Sequence, residues 1–174
     1  GPDDSIAVTE EESWVERFDL SAEQFRTVVE GDEFQVGEFT LTVEPAHDPD
    51  ATHPVSYVID HEAGTFFHGG DTKPGEVLAD IGNRHDIDLG VLALGSVGMI
   101  PDKQTREPAR TRWYADENQV VVAANALGIS RLVPSHWDIW KGLTADPTAL
   151  HHHVKSFPFP NDLEIVEIGD RITL

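Results

Sequence analysis

The clearest hydrophobic pattern in the chain predicts a helix in its second half. From Asp116 to Leu127, apolar residues recur at helical spacing, Asp116 can cap the first turn and Gly128 can end the helix. Weaker patterns of the same kind predict further helices at 74–84, 147–155 and, with the fewest signals, 10–29.

Strand patterns surround this helix. Apolar and polar residues alternate over 34–43, and two short runs at 55–59 and 65–68 flank a tight turn, which predicts three strands with a hairpin. The nearly continuous apolar run at 87–94 is typical of a strand covered on both faces. Short strands are also expected at 131–134, 164–168 and 171–174, with 95–112 as a loop. Strands followed by helices predict a layered α+β fold, without saying which one.

Length and composition favour one folded domain. The chain has 174 residues, of which 39% are hydrophobic, and this is enough for a sizeable core. We find no repeat, linker or low-complexity segment, so 1–174 is treated as a single domain. The longest apolar stretch, 87–100, is interrupted by Asp88, glycines and Ser96, and no signal segment opens the chain. The expectation is a soluble cytoplasmic protein.

The charge of the chain limits its partners. A formal net charge of −20 repels nucleic acid and anionic membranes, so neither is expected to bind. The chain has eight arginines and four lysines among many acids, a composition that resembles proteins of halophilic microbes with a salty cytosol. A small molecule is the expected partner.

Three residues stand where metal ligands or catalytic groups collect in sheet-and-helix proteins. His47, Asp71 and His136 each follow an apolar strand, and strand ends hold side chains rigidly where loops expose them to substrate. The chain has no Cys, so a metal must be held by His, Asp or Glu, and this set suits Zn²⁺ or Mn²⁺. Taken alone, each His is more often a surface or hydrogen-bonded residue, and the Asp a turn or cap residue.

Other polar residues are candidates with a structural alternative beside each. His53 and His68 flank the site in sequence and could orient ligands, and Asp138 could hold His136 or its loop. The run 151–153 of three histidines is better explained as a solvated or partly packed helix face than as a metal site. A basic cluster would suit a phosphorylated or carboxylated substrate, or could form salt bridges with the acidic surface: Lys103, Arg106 and Arg110 to Arg112.

Four segments together resemble the metallo-β-lactamase superfamily, in particular its ascorbate-6-phosphate lactonase-like branch. They are Pro45-Ala46-His47-Asp48, VSYVIDHEAGTFFHGGDT (55–72), GNRHDIDLGVLALGS (82–96) and PSHWDIWKGLTADP (134–147). The last is the most specific. The resemblance implies the C-terminal half of an αββα sandwich.

The resemblance also implies roles for the three candidate ligands. His47 would serve one metal, Asp71 would bridge two and take part in catalysis, and His136 would serve the second. The cofactors would be two divalent ions, with Zn²⁺ favoured over Mn²⁺. A metal-bound hydroxide would then attack a lactone or ester, with a sugar-phosphate lactone as the favoured and anionic substrate.

One family signature is missing from the sequence. The His-x-His-x-Asp-His run that supplies the remaining ligands does not occur, so we expect the chain to correspond to the C-terminal half only. Alone, it should be weak or inactive as an enzyme and prone to associate into homo-oligomers, because half of a sandwich exposes a face meant for its partner. The alternative is a non-catalytic metal-binding or interaction fragment that needs a separate N-terminal half.

Overall fold

The computed structural model describes residues 26–49, 51–95, 97–102, 104–139, 144–156 and 162–174. In these ranges, nine strands and three α-helices are present. The strands are β1 Glu33–Val36, β2 Phe39–Pro45, β3 Val55–His61, β4 Gly64–His68, β5 Leu89–Ala93, β6 Val97–Pro101, β7 Pro108–Arg112, β8 Arg131–Ser135 and β9 Asp162–Leu163. The helices are α1 Glu76–Arg84, α2 Glu117–Leu127 and α3 Leu150–Ser156, the last preceded by a 3₁₀ turn at Pro147–Ala149.

Seven of these strands form one mixed sheet in the order β1-β2-β3-β4-β5-β8-β9. Neighbours from β1 to β4 are antiparallel, whereas β4, β5, β8 and β9 run parallel to one another. Two successive antiparallel steps give β2 the same direction as β4. The carboxyl ends of β2, β4, β5 and β8 therefore lie along one edge of the sheet, which we call the strand-end edge.

The helices pack on the sheet around one apolar core. Val58 of β3 and Phe67 of β4 are fully buried beside Leu78 of α1 and Leu127 of α2. Helices α1 and α2 approach closely at Gly82, where a Cβ would lie 2.5 Å from the carbonyl oxygen of Ala126. The result is a layered sheet-and-helix fold, as the order of elements predicts.

The capping residues predicted for α2 are confirmed at both ends of the helix. The Asp116 side chain accepts a hydrogen bond from the backbone N–H of Gln119, and the Gln119 side chain accepts one from the backbone N–H of Asp116. This reciprocal capping box satisfies two N–H groups of the first turn. Gly128 ends the helix in the left-handed conformation with φ 67°.

Three predictions of secondary structure are wrong. The single strand at 34–43 is two strands, because the chain turns at Gly37 with φ 60°. The loop at 95–112 contains the β6–β7 hairpin, whose turn is closed by Asp102 accepting hydrogen bonds from the N–H groups of Gln104 and Thr105. The closing hairpin of 164–168 and 171–174 does not form: the turn is present, but Ile168 is fully exposed and has no sheet surface to cover.

The remaining helix prediction falls mostly outside the described residues. Of 10–29, only 26–29 are described, and they are not helical. Helices α1 and α3 confirm the predictions at 74–84 and 147–155, and β3, β4, β5 and β8 confirm the strands predicted at 55–59, 65–68, 87–94 and 131–134.

Candidate metal centre

Asp71 and His136 meet at the strand-end edge. Asp71 follows β4, His136 follows β8, and the Nδ1 atom of His136 lies 3.0 Å from the Oδ1 atom of Asp71. Nδ1 is buried and makes no hydrogen bond with the described residues, so the approach is close by distance but is not directed as a hydrogen bond. An imidazole nitrogen and a carboxylate oxygen converging in this way are a donor pair that fits a divalent cation.

Glycines shape the turn that delivers Asp71. A Cβ on Gly69 would lie 2.9 Å from Thr72 Cγ2 and 3.1 Å from Leu92 Cδ2, and Gly70 has φ 55°. The turn closes through a hydrogen bond of 3.0 Å from Thr72 N–H to the carbonyl oxygen of Gly69. Gly69 has little room for a side chain and Gly70 has the left-handed conformation that glycine favours, and the turn leaves the Asp71 side chain 45% exposed.

His47 is tied to the residues that follow Asp71. Its backbone N–H donates to Thr72 Oγ1 at 2.8 Å, and its carbonyl oxygen accepts from Lys73 N–H at 2.8 Å. Its Nδ1 lies 2.7 Å from the carbonyl oxygen of Pro74, which can only accept, so Nδ1 carries the proton. This tautomer leaves the lone pair on Nε2, the arrangement usual for a metal-ligating histidine.

The three predicted ligands are not assembled into one cluster. Among the described residues, no group of three or more His, Asp or Glu side chains is placed to hold a metal. Asp71 and His136 are brought together, whereas His47 lies on the same edge with its imidazole over Gly75, where a Cβ would be 2.9 Å from Nδ1. The structure thus offers a pair of metal donors, and the third predicted ligand, His47, lies on the same sheet edge without joining the pair.

His68 lies beside this pair as the last residue of β4. Desolvation lowers the pKa of His68 below its ordinary value although the residue is exposed at the surface, and the Coulomb interaction with His136 lowers it further. A backbone hydrogen bond and the charge of Asp71 act in the opposite direction. The Gly70 N–H donates to His68 Nδ1 at 3.2 Å, so in the neutral ring the proton is on Nε2.

Four of the other candidate residues are exposed at the surface. His53 is exposed in the loop between β2 and β3, and Asp138 is exposed in the turn after His136. His151 and His152 are exposed on α3, as expected for a solvated helix face.

The residues of the basic cluster lie in different surroundings. Lys103 lies outside the described residues, while Arg106 lies in the β6–β7 loop and Arg110 is exposed on β7. Arg112 forms an ion pair with Asp116, which agrees with the salt-bridge alternative for this residue. None of these arginines is among the residues that line the cavity next to Asp71.

That cavity contains residues that the sequence analysis missed. A space of about 50 Å³ is lined by Asp48, Asp71, Lys73, Trp113 and Tyr114. Lys73 and Asp48 adjoin predicted ligands in sequence, so a wider search around Asp71 and His47 could have found them. The aromatic pair lies between the predicted loop at 95–112 and the predicted helix at 116–127, and no local pattern links it to Asp71.

A buried carboxylate holds the strand that leads to His47. Glu44 of β2 has a side chain only 6% exposed, which forms an ion pair with Arg84 and lies 2.7 Å from His85 Nε2. These partners stand at the end of α1, while His47 contacts Pro74 just before α1 begins. The strand and the helix are therefore joined at both ends of α1.

Comparisons with known proteins identify the family. Residues 2–137 match a family described as "Beta-lactamase superfamily domain". The protein named "Probable L-ascorbate-6-phosphate lactonase" of Escherichia fergusonii is 36% identical over 97 residues, which cover 53% of this chain and 23% of that protein. The match thus spans about a quarter of the length of this curated relative.

Solved structures show the same fold. Igni18, a metallo hydrolase from the hyperthermophilic archaeon Ignicoccus hospitalis, superposes with a TM-score of 0.67 at 19% identity, covering 94% of this chain and 66% of that one. The metallo-β-lactamase fold protein YhfI from Bacillus subtilis gives a TM-score of 0.57 at 14% identity, covering 82% and 52%. Within the described residues, no helix is long and apolar enough to cross a membrane. The chain belongs to the β-lactamase superfamily and has the metallo-β-lactamase fold.

Proposed function

We propose that this chain carries part of the active site of a metal-dependent hydrolase that opens a lactone or ester. The observation that supports this most strongly is the convergence of the buried, hydrogen-bond-free Nδ1 of His136 with the Asp71 carboxylate at 3.0 Å. A polar atom buried without a partner is costly, so such a placement points to a bound ligand at a functional site. Divalent ions are implied by the metallo-hydrolase relatives, and Zn²⁺ or Mn²⁺ suits this donor set.

Each residue of the site then has a defined task. Asp71 and His136 would hold metal directly, and His47 would join them through Nε2, which its hydrogen bond to Pro74 leaves unprotonated. When bound, the metals would lower the pKa of a water to give hydroxide near neutral pH and polarise the carbonyl group. Asp71 is 45% exposed and can accept the proton of the attacking water at its free carboxylate oxygen.

The cavity beside Asp71 has two carboxylates, of Asp48 and Asp71, and one cationic group that can bind an anionic substrate. Of the five lining residues, Lys73 is the only base, and its ammonium group can pair with a phosphate or carboxylate. Trp113 and Tyr114 provide apolar walls for a ring. The curated relatives named as ascorbate-6-phosphate lactonases agree with a phosphorylated lactone as substrate. Lys73, rather than the predicted arginine cluster, would then recognise the anion.

The test is hydrolysis by the metal-loaded chain in concentrated KCl. We expect slow hydrolysis of a phosphorylated sugar lactone. The rate should fall at least about tenfold in Asp71→Asn, because that variant loses the charge that holds the metal. Lys73→Met should raise KM for the phosphorylated lactone and leave KM for an uncharged lactone unchanged. Equal turnover by wild type and Asp71→Asn would contradict the proposal, as would a preference for phosphodiesters.

A second function, metal binding without catalysis, has one observation in its favour. The described residues do not assemble three ligands into one cluster, so the chain could hold metal only together with a separate N-terminal half. Adding a polypeptide that carries the His-x-His-x-Asp-His run should then raise metal affinity and create activity that the chain alone lacks. Full activity of the isolated chain would exclude this alternative.

A further inference from the structure

The aromatic ring of Tyr114 lies directly against the imidazole of His136. The two ring centroids are 4.8 Å apart with an angle of 51° between the planes, and Tyr114 is only 8% exposed. Tyr114 also meets Trp113 edge-on, with ring centroids 6.3 Å apart. The tyrosine ring therefore contacts both the indole and the imidazole.

Both residues of this contact have a strained backbone. Tyr114 has φ 51° and His136 has φ 63°, in the left-handed region that side chains with a Cβ disfavour. Such a conformation is unfavourable and persists only where the surrounding structure holds it, typically at functional sites. Two of them in mutual contact at one strand end indicate a constraint on the side chains.

Gly95 allows Tyr114 to reach this position. A Cβ on Gly95 would lie 2.4 Å from the carbonyl oxygen of Trp113 and 2.6 Å from Tyr114 Cβ. The Gly95 N–H donates to the carbonyl oxygen of Ala115 at 2.8 Å, and Leu94 forms an isolated bridge with Ala115. The segment of Trp113 to Ala115 is thus pressed against the end of β5, next to β8 and His136.

A ring contact orients the imidazole of His136. A ligating histidine is commonly fixed by a bond from its second ring nitrogen to a carbonyl or carboxylate, as Pro74 does for His47. In His136, Nδ1 faces Asp71 and is itself the proposed metal-binding atom, so no hydrogen bond of this nitrogen can fix the ring. The ring face of Tyr114 is the contact that the structure shows against this imidazole.

We propose that Tyr114 is a positioning residue that keeps Nδ1 of His136 directed at Asp71 while its own ring forms a wall of the substrate cavity. The inference rests on the proposed function for its metal and substrate, but the contact itself is a property of the metal-free chain. Loss of the ring should let the imidazole rotate away from Asp71, and loss of the hydroxyl alone should not.

Co²⁺ titration of the full 174-residue chain tests this with three variants. Tyr114→Phe keeps the ring and should bind Co²⁺ within about twofold of wild type, whereas Tyr114→Leu should bind about 10–100-fold more weakly. Phe39→Leu is the matched control, because Phe39 packs on His61 at 5.0 Å at a different place in the sheet. This control should leave the Co²⁺ affinity unchanged.

A second readout needs no metal. In the NMR spectrum of the metal-free chain, the ring current of Tyr114 should shift the His136 ring protons, and ring-to-ring nuclear Overhauser effects should connect the two. Both signals should persist in Tyr114→Phe and vanish in Tyr114→Leu. A wild type without these contacts, or Tyr114→Leu with wild-type Co²⁺ affinity and unchanged His136 signals, would overturn the inference.

The two readouts separate this inference from the proposed function. If wild type binds no Co²⁺ but the NMR contacts are present and depend on the ring, the hydrolase proposal fails while the positioning contact stands. If Tyr114→Leu does not fold, the wild-type Overhauser contacts and the Tyr114→Phe affinity still decide the inference, since absent contacts or a weakened Phe variant contradict it.

Discussion

The ends of β2 and β8 each present a histidine at the same sheet edge, but they hold it in opposite ways. His47 follows β2 with an unstrained backbone, two backbone hydrogen bonds and a ring fixed by the carbonyl of Pro74. His136 follows β8 with φ 63° and a buried Nδ1 that lacks a hydrogen bond among the described residues. The β2 end is stable by its own bonds, whereas the β8 end depends on the packing around it.

The residues that support the two histidines also differ, with hydrogen bonds on one side and packing on the other. Behind His47, the buried Glu44 joins β2 to Arg84 and His85 by charged hydrogen bonds. Behind His136, Tyr114 reaches the ring only because Gly95 lets two backbone segments come into contact. The contacts of Glu44 with Arg84 and His85, which we call the Glu44 clamp, support one end of the site, and close packing supports the other. Different substitutions should therefore damage each end.

The largest effect is expected at Gly95. Gly95→Ala would place a Cβ within 2.4 Å of backbone, which cannot yield as a flexible side chain can, and should reduce the free energy of unfolding by about 3 kcal/mol. Chemical denaturation of the full chain measures this. Gly128→Ala is the control: its Cβ meets nothing within 4 Å and only φ 67° opposes it, so about 1 kcal/mol is expected. Equal losses at the two glycines would mean that the close approach at Gly95 does not matter.

A smaller loss is expected at the β2 end. Glu44→Gln removes the charge that Arg84 and His85 share in a site where the carboxylate is 6% exposed, and should cost about 2 kcal/mol. Glu164→Gln is the matched control, since Glu164 pairs with Arg131 but is 30% exposed, and about 0.5 kcal/mol is expected there. Thermal and denaturant unfolding of both variants in high salt gives the comparison. An equal loss of stability in the control and in Glu44→Gln would mean that the Glu44 clamp does not stabilise the β2 end.

The smallest effect is the difference in stability between a Gly and an Ala variant, and its sign should differ between positions 136 and 47. At position 136, Gly should give a more stable protein than Ala by about 1 kcal/mol, because Gly removes the left-handed strain that Ala keeps. At position 47, where no positive φ occurs, Ala should be as stable as Gly or more stable by up to about 1 kcal/mol. Paired unfolding curves for the four variants measure both differences. The same order at both positions would remove the contrast between the strand ends.

Much of the fold was predictable because its signals are local. The capping box of Asp116 and Gln119, the β3–β4 hairpin and the apolar run of β5 each arise from neighbouring residues. The strand ends that carry His47, Asp71 and His136 followed from these elements. The pairing of Asp71 with His136 was implied only by the family resemblance, because it depends on the order of strands in the sheet.

The failures have a common physical cause in long-range contacts. A closing hairpin suits the pattern of 164–174, yet Ile168 finds no surface to cover and stays fully exposed. The cavity wall at Tyr114 depends on the close approach of Gly95, 19 positions earlier in the chain, which no local periodicity shows. Lys73 was overlooked in favour of the arginine cluster, because charge counts do not reveal which base faces the site.

The most direct test is the metal content of the purified chain in high salt. Wild type should retain about one divalent ion per chain or more, Asp71→Ala and His136→Ala should lose it, and the exposed control His151→Ala should keep it. Elemental analysis after dialysis measures all four proteins. A wild type without metal, or Asp71→Ala with full metal content, would contradict the assignment of Asp71 and His136 as a metal-binding pair.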